Sequence, residues 1–207
     1  MLLSLTSFSV AAVLIVLLPG PDTLVVVRGL LRGRRTGVLT VLGVLTGLIV
    51  WVCAASLGLA ALLRASEIGF TALKIAGGIY LFWLGFQSLR TVFRRTPDLE
   101  RVVIPPRTGL LGSGYAAGLL TDVLNPKVGV FFVTFLPGFV PDRYPVGWFS
   151  LLLGAIFTVL TAVYFAVLLA VSGKVTSWMQ TPRIRRRLDG LTGLILVGFG
   201  IRLATES

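Results

Sequence analysis

Four ionisable side chains, Asp22, Lys74, Asp122 and Lys127, fall inside long apolar runs of this 207-residue chain. A charge at bilayer depth costs about 2.5–3.5 kcal/mol on insertion scales, so such residues mark a functional site by default. Carboxylates can hold a substrate ammonium or exchange a proton, and lysines can hold a substrate carboxylate. Three of the four sit beside prolines: LLPGPDT at 17–23 carries Asp22, and TDVLNPK at 121–127 carries Asp122 and Lys127. The residue before a proline avoids helical geometry, so Leu18 and Gly20, which precede Pro19 and Pro21, should end a helix. Gly20 is a tolerable cap, Pro21 suits the first position of a new helix, and Asp22 then lies in the first turn, where the dipole favours an anion. In the second break Asn125 is a good N-cap and Pro126 takes the first helical position. The exposed N–H groups of each new half-helix are able to bind a substrate carboxylate. A kink repaired by Ser, Thr or water is the ordinary reading of one such break. Two breaks at equivalent positions, each with a charge, favour a site.

The elements that must carry these residues follow from composition. Hydrophobic residues make up 56 % and charged residues 13 %, against about 25 % charged in a soluble domain; a water-soluble protein is excluded. There is no His, which removes His–Zn sites, Ser–His–Asp triads and His proton relays, and a single Cys53 gives no disulfide and no two-thiol redox pair. No metal or cofactor motif is present, and the absence of G-x-x-x-x-G-K-[ST] speaks against an ATP-driven pump.

Six apolar segments can be read: about Leu2 to Val27, the stretch between Arg35 and Arg64, about Ile68 to Leu89 with Lys74, the stretch between Arg107 and Asp142 with Asp122 and Lys127, the uncharged stretch between Arg143 and Lys174, and about Leu188 to Leu203. A spanning helix takes about 20 residues, which five of these reach easily; the sixth is short. A spanning β-barrel would show segments of about ten residues that alternate in polarity, and these do not. No Lys or Arg precedes the first segment and no A-x-A-like site follows it, so it reads as a retained span rather than a cleaved leader.

Arg28, Arg32, Arg34 and Arg35 follow span one. Arg90, Arg94, Arg95, Arg101 and Arg107 follow span three, and Lys174, Arg183, Arg185, Arg186 and Arg187 follow span five; together these loops hold 14 of the 19 basic residues. The expectation is that these three loops are cytoplasmic, that both termini lie outside, and that the net charge of +11 reflects topology and anionic lipid rather than nucleic-acid binding.

The polar stretch 98–108, around DLERVVIPPR, divides residues 1–97 from 109–207, three spans from three. An odd number of spans per half makes the halves inverted repeats, and Pro21 and Pro126, 105 residues apart, break their first spans at matching places. The expected fold is therefore an all-α integral membrane protein of six transmembrane helices in two inverted three-helix repeats, with broken helices in spans one and four. By helical rise Asp122 lies near the midplane and Asp22 nearer the inner face, about 10 Å apart in depth. The four charges are expected to line one cavity between the halves, with Tyr80 and Gln87 as further polar candidates from span three. The ordinary alternative is structural: buried pairs such as Asp22–Lys127 that only hold the fold, or Lys74 snorkelling outward. Gly43 and Gly47, four apart among 24 glycines, and the mid-span Trp51, Trp83 and Cys53 read as packing. Tyr144 and Trp148 suit an outer aromatic belt and Trp178 an inner one. Uncharged faces on spans two and five would permit a homodimer, though lipid would serve as well.

The runs LLPGPDTLVVVRGLLRGRRTG, LKIAGGIYLFWLGFQSLR and GLLTDVLNPKVGVFFVTFLPGFV resemble the LysE/RhtB family of lysine and homoserine/threonine exporters over the whole chain. The resemblance implies secondary efflux of amino acids or close derivatives from the bacterial cytoplasm across the inner membrane, against inward protons and without a cofactor. Pro19, Gly20, Pro21, Asp22, Lys74, Asn125, Pro126 and Lys127 match its motifs. Two positions depart from it: Gly138 stands where the family commonly has Gln, and Asp122 where Asn is frequent. The competing readings are an intramembrane aspartyl enzyme that uses Asp22 and Asp122, set back by their different depths, and a channel, whose flux would need no counter-ion gradient.

Overall fold

Leu18 precedes Pro19, and the first helix stops there. α1 (Leu2–Leu17) ends on an extended Leu18, with φ −75° and ψ 111°, and α2 (Pro21–Leu31) starts with Pro21 at its first position. The same local rule acts at the second break: α4 (Tyr115–Val123) ends, Asn125 is extended, and α5 (Pro126–Val130) begins on Pro126. Between the breaks α3 (Arg34–Ala65) runs uninterrupted, and α6 (Val146–Ala170) follows the second broken segment. α5 continues into a widened π turn at Phe131–Phe135 and a tight 3-10 turn at Leu136–Phe139. Pro137 has no N–H to close an α-helical bond there. This computed structural model describes residues 1–65, 114–141 and 143–171, with isolated helical positions between 68 and 90 and between 190 and 201.

The described residues contain helices and no strand. Arg34–Gly58 and Val146–Ala170 are each long and apolar enough to cross a bilayer; the two broken pairs bring the total to four, bent by 48° and 49° at their breaks. Their outer faces are apolar, as in Leu3, Val10, Ile49, Leu57, Trp148 and Val163, a surface that suits lipid and not water. This is a multi-pass membrane protein. The third and sixth spans and the 98–108 linker lie outside the continuously described segments.

Packing divides into two apolar clusters. One joins Phe8 and Ile15 of α1, Leu48 and Val52 of α3, the stretch Val128 to Phe139, and Phe149 to Phe157 of α6. The other joins Val25 to Val27 of α2, Val41 and Val44 of α3, Ala117 of α4, and Phe165 and Leu168 of α6. Along both broken segments the dividing line falls at the break. Within the first cluster Phe131 stacks on Phe157 at 4.9 Å, and Phe8 meets Phe139 edge-on at 5.4 Å, so aromatic contacts clamp α1 and α6 onto the segment after the second break.

α3 and α4 touch through backbone. A Cβ at Gly118 would fall on the Thr40 carbonyl, and one at Gly43 on the Tyr115 carbonyl. Thr40 strengthens the join, because its Oγ1 accepts from Gly114 N at 3.0 Å. Gly114 takes φ 87° as it leads into α4, a left-handed conformation that favours glycine. Gly43 thus does pack, and its partner is the second half of the same chain. Trp148 stands 76 % exposed beside Tyr144 at the start of α6, as a belt residue should.

Candidate functional site

The two breaks meet. Asn125 turns its side chain both ways: Oδ1 accepts from Lys127 N at 3.0 Å and caps α5, while Nδ2 donates to Asp22 Oδ2 at 2.6 Å. Asp22, in the first turn of α2, is thereby tied to the opposite break. Lys127 crosses the other way. Its Nζ donates to the Ile15 carbonyl at 3.0 Å and the Leu18 carbonyl at 3.1 Å. These are carbonyls of the last turn of α1, where intrahelical donors run out and the dipole favours a cation. The approach passes Gly20, whose position for a Cβ lies 3.8 Å from Lys127 Nζ. No Asp22–Lys127 ion pair forms among the described residues; the lysine binds carbonyls and the aspartate binds an amide.

Asp122 lies at the same junction and is 0 % exposed. Neither carboxylate oxygen has a hydrogen-bond donor among the described residues. Its side chain lies over Gly47, where a Cβ would sit 2.6 Å from Oδ2. Gly47, read from the sequence as a packing residue alone, therefore makes the space that Asp122 fills. Trp51 is also more than packing: its Nε1 donates to the Asp122 carbonyl at 3.3 Å, and its ring covers Gly129.

Asp22, Asp122 and Lys127 line one cavity of about 40 Å³ with Gly20 and, from α6, Thr161 and Tyr164. The estimated 10 Å difference in depth does not keep the two aspartates apart. The first break, which precedes Asp22, halts helical rise and bends the chain by 48°, so a depth counted along a straight helix overstates how far Asp22 lies from Asp122. The Tyr164 hydroxyl pairs with Thr23 Oγ1 at 3.3 Å. Among the described residues Thr161 Oγ1 and Asp22 Oδ1 are buried without a partner, as are both Asp122 oxygens. The cavity holds a few waters and is far below the ~300–1,000 Å³ of a small-molecule pocket. A larger, apolar hollow of about 450 Å³ lies on the other side of the second break, against Trp51, Leu124, Pro126 and Val130.

Of the residues singled out in the sequence, the structure brings Gly20, Asp22, Asp122 and Lys127 to the cavity and Asn125 onto Asp22. Pro21 and Pro126 start the half-helices, and Pro19 sets the extended end of α1. Lys74, Tyr80 and Gln87 lie outside the described residues. Thr23, Thr161 and Tyr164 were not foreseen. The available signal was Thr161 and Tyr164, three apart on one face of an uncharged span. Among the described residues no three His, Cys, Asp or Glu side chains gather as a metal site.

Lys127→Met is expected to remove the ammonium donor from the Leu18 carbonyl and from the Ile15 carbonyl, which keeps Leu18 N at 3.3 Å, and to cost about 1–3 kcal/mol. Thermal unfolding of the purified protein in detergent should show the loss as a lower midpoint, with Lys127→Arg closer to the parent because it still donates.

The LysE type translocator family is matched over residues 13–207. The chain is 31 % identical over 205 residues to the uncharacterized membrane protein YrhP of Bacillus subtilis (strain 168), covering 96 % of this chain and 97 % of that protein. It is 31 % identical to the leucine efflux protein of Enterobacter sp. (strain 638), over 98 % of this chain and 96 % of that one. It is 32 % identical to the threonine efflux protein of Salmonella typhi, over 95 % and 96 %. No solved structure matches.

Proposed function

The chain belongs to the LysE type translocator family, and from that premise we propose that it is a secondary exporter that moves amino acids or close derivatives out of the cytoplasm in exchange for protons. One observation carries the reading beyond family membership: the two proline breaks meet around a cavity that holds two carboxylates. Broken helices facing each other near mid-membrane are the usual setting of a transporter site. The oxygens of Asp22 and Asp122 that have no partner among the described residues supply acceptors for the ammonium of an amino acid and, once it has left, for a returning proton.

The cycle we infer is alternating access. Residues 1–97 and 109–207 act as inverted three-helix repeats that rock about the junction. The basic loops stay in the cytoplasm and both termini lie outside, in a bacterial inner membrane. The small cavity is a closed intermediate that must widen to admit cargo, and the inter-half contacts that must change in that step are Asn125–Asp22 and Lys127 with the α1 carbonyls. Gly20 and Asn125, at the starts of the half-helices, are the hinges. Lys74 and Tyr80 are proposed to complete the cavity from span three. The efflux names of relatives support transport over aspartyl hydrolysis.

Cells are loaded with a panel of dipeptides, cytoplasmic peptidases release the amino acids, and mass spectrometry quantifies what appears outside. Faster exit of one group of amino acids, only with the intact protein and abolished by a protonophore, supports the proposal. Unchanged exit with the protein inserted refutes amino acids as cargo. Exit that persists without a proton gradient refutes proton exchange and favours a channel.

A further inference from the structure

Among the described residues three of the four carboxyl oxygens at the cavity lack a donor, and the Thr161 hydroxyl, which can donate or accept, lacks any partner. Asp22 Oδ1, Asp122 Oδ1 and Oδ2, and Thr161 Oγ1 are buried and partnerless among the described residues, and all belong to residues on the wall of one cavity. Asp122 is 0 % and Thr161 7 % exposed, so bulk water does not serve them. Partnerless buried acceptors cost about 1–3 kcal/mol each, more when charged, and Asp122 and Thr161 come from different helices. The natural remedy is a ligand that donates hydrogen bonds and carries positive charge.

The groups expected to receive an anion are already engaged. Lys127 uses two of its three N–H groups on the Ile15 and Leu18 carbonyls. The N-terminus of α2 has Asp22 in its first turn, and that of α5 is capped by Asn125 Oδ1. Among the described residues a carboxylate that entered would join two carboxyl groups and find one ammonium already bound to carbonyls. Among the described residues a primary ammonium would find four free acceptor atoms, three of them on carboxyl groups. Around these atoms the wall is apolar: Val44, Leu48, Phe131, Phe157 and Phe165.

We propose that the site reads the ammonium end of its cargo, between Asp22, Asp122 and Thr161, and has no need of a cargo carboxylate, so that primary alkylamines are ligands alongside amino acids. This rests on the exporter reading and extends its substrate class.

The test is ligand-induced thermal stabilisation of the purified full-length protein in detergent. The probes are L-leucine, 3-methylbutan-1-amine (leucine without its carboxylate), 4-methylpentanoate (leucine without its amine) and L-threonine. The expected result is stabilisation by 3-methylbutan-1-amine, at concentrations within about tenfold of those needed for the better amino acid, and none by 4-methylpentanoate. Asp122→Asn, which keeps the shape and removes the charge, should weaken the amine about ten- to a hundredfold, the range of one charge-assisted hydrogen bond. Thr161→Val should weaken it less and serves as a second readout if Asp122→Asn does not fold. Stabilisation by an amino acid without the amine, or by 4-methylpentanoate in place of the amine, overturns the proposal and leaves the exporter reading intact. Equal amine binding by the parent, Asp122→Asn and Thr161→Val overturns the placement of the site. No stabilisation by any probe overturns it as well, and the dipeptide-loaded efflux assay then reports separately on the exporter reading.

Discussion

Asp22→Asn is expected to abolish net efflux while the protein still inserts. Asp22 Oδ2 accepts from Asn125 Nδ2 at 2.6 Å, and Oδ1 is buried beside the cavity without a partner among the described residues. An asparagine in the same rotamer keeps its carbonyl on Asn125 and so keeps the junction. It replaces the free carboxylate oxygen with an NH₂, which turns an acceptor into a donor and removes the charge. If an ammonium or a proton must rest there, the lost charge-assisted bond alone is worth about 1.5–3 kcal/mol, some ten- to a hundredfold in binding. Under the proposed proton exchange net efflux falls further, because Asp22 no longer carries the returning proton. The measurement is amino-acid efflux from dipeptide-loaded cells at matched membrane levels of protein. Normal efflux from the variant would remove Asp22 from the mechanism.

Gly118→Val is expected to be the most damaging change of packing. A Cβ at 118 falls on the Thr40 carbonyl, so the obstacle is backbone of α3 and cannot rotate aside. α3 and α4 would have to separate, which would withdraw Gly47 from Asp122 and loosen the Gly114–Thr40 bond. Overpacking against a rigid neighbour costs about 3 kcal/mol, which for a chain of this size lowers the melting midpoint by about 6–12 °C. Gly138→Ala is the matched control, since a Cβ there meets nothing within 4 Å. Thermal unfolding in detergent, followed by size-exclusion recovery, compares the two. Equal midpoints would mean that the close α3–α4 approach is not what holds the junction.

The first prediction begins in features that were plain in the chain, whereas the contact of Gly118 with Thr40 came from the structure. The breaks could be read because a proline restricts the residue before it whatever surrounds it, and Leu18 and Asn125 are indeed extended. The membrane class followed from too few charged residues to cover a wetted surface, and the family from motifs at both breaks together with the LKIAGGIY run. Asp22, Asp122 and Lys127 stood out because an ionisable group in an apolar run is expensive wherever it points.

What each of those groups touches was decided elsewhere. Lys127 was expected to await a substrate carboxylate or to pair with Asp22, and it bonds to two α1 carbonyls 112 and 109 residues away in sequence. Thr161 and Tyr164 join the cavity although their span carries no charge. The two aspartates, set apart when rise was counted along straight helices, line one cavity, with the first break bending the chain ahead of Asp22. The division has a physical cause. Backbone restriction by proline and the cost of a charge in hydrocarbon act over a few residues and are written locally. Hydrogen-bond partners and cavity walls depend on which helices approach closely, and here that rests on glycines in α3 and α4 that let two backbones meet.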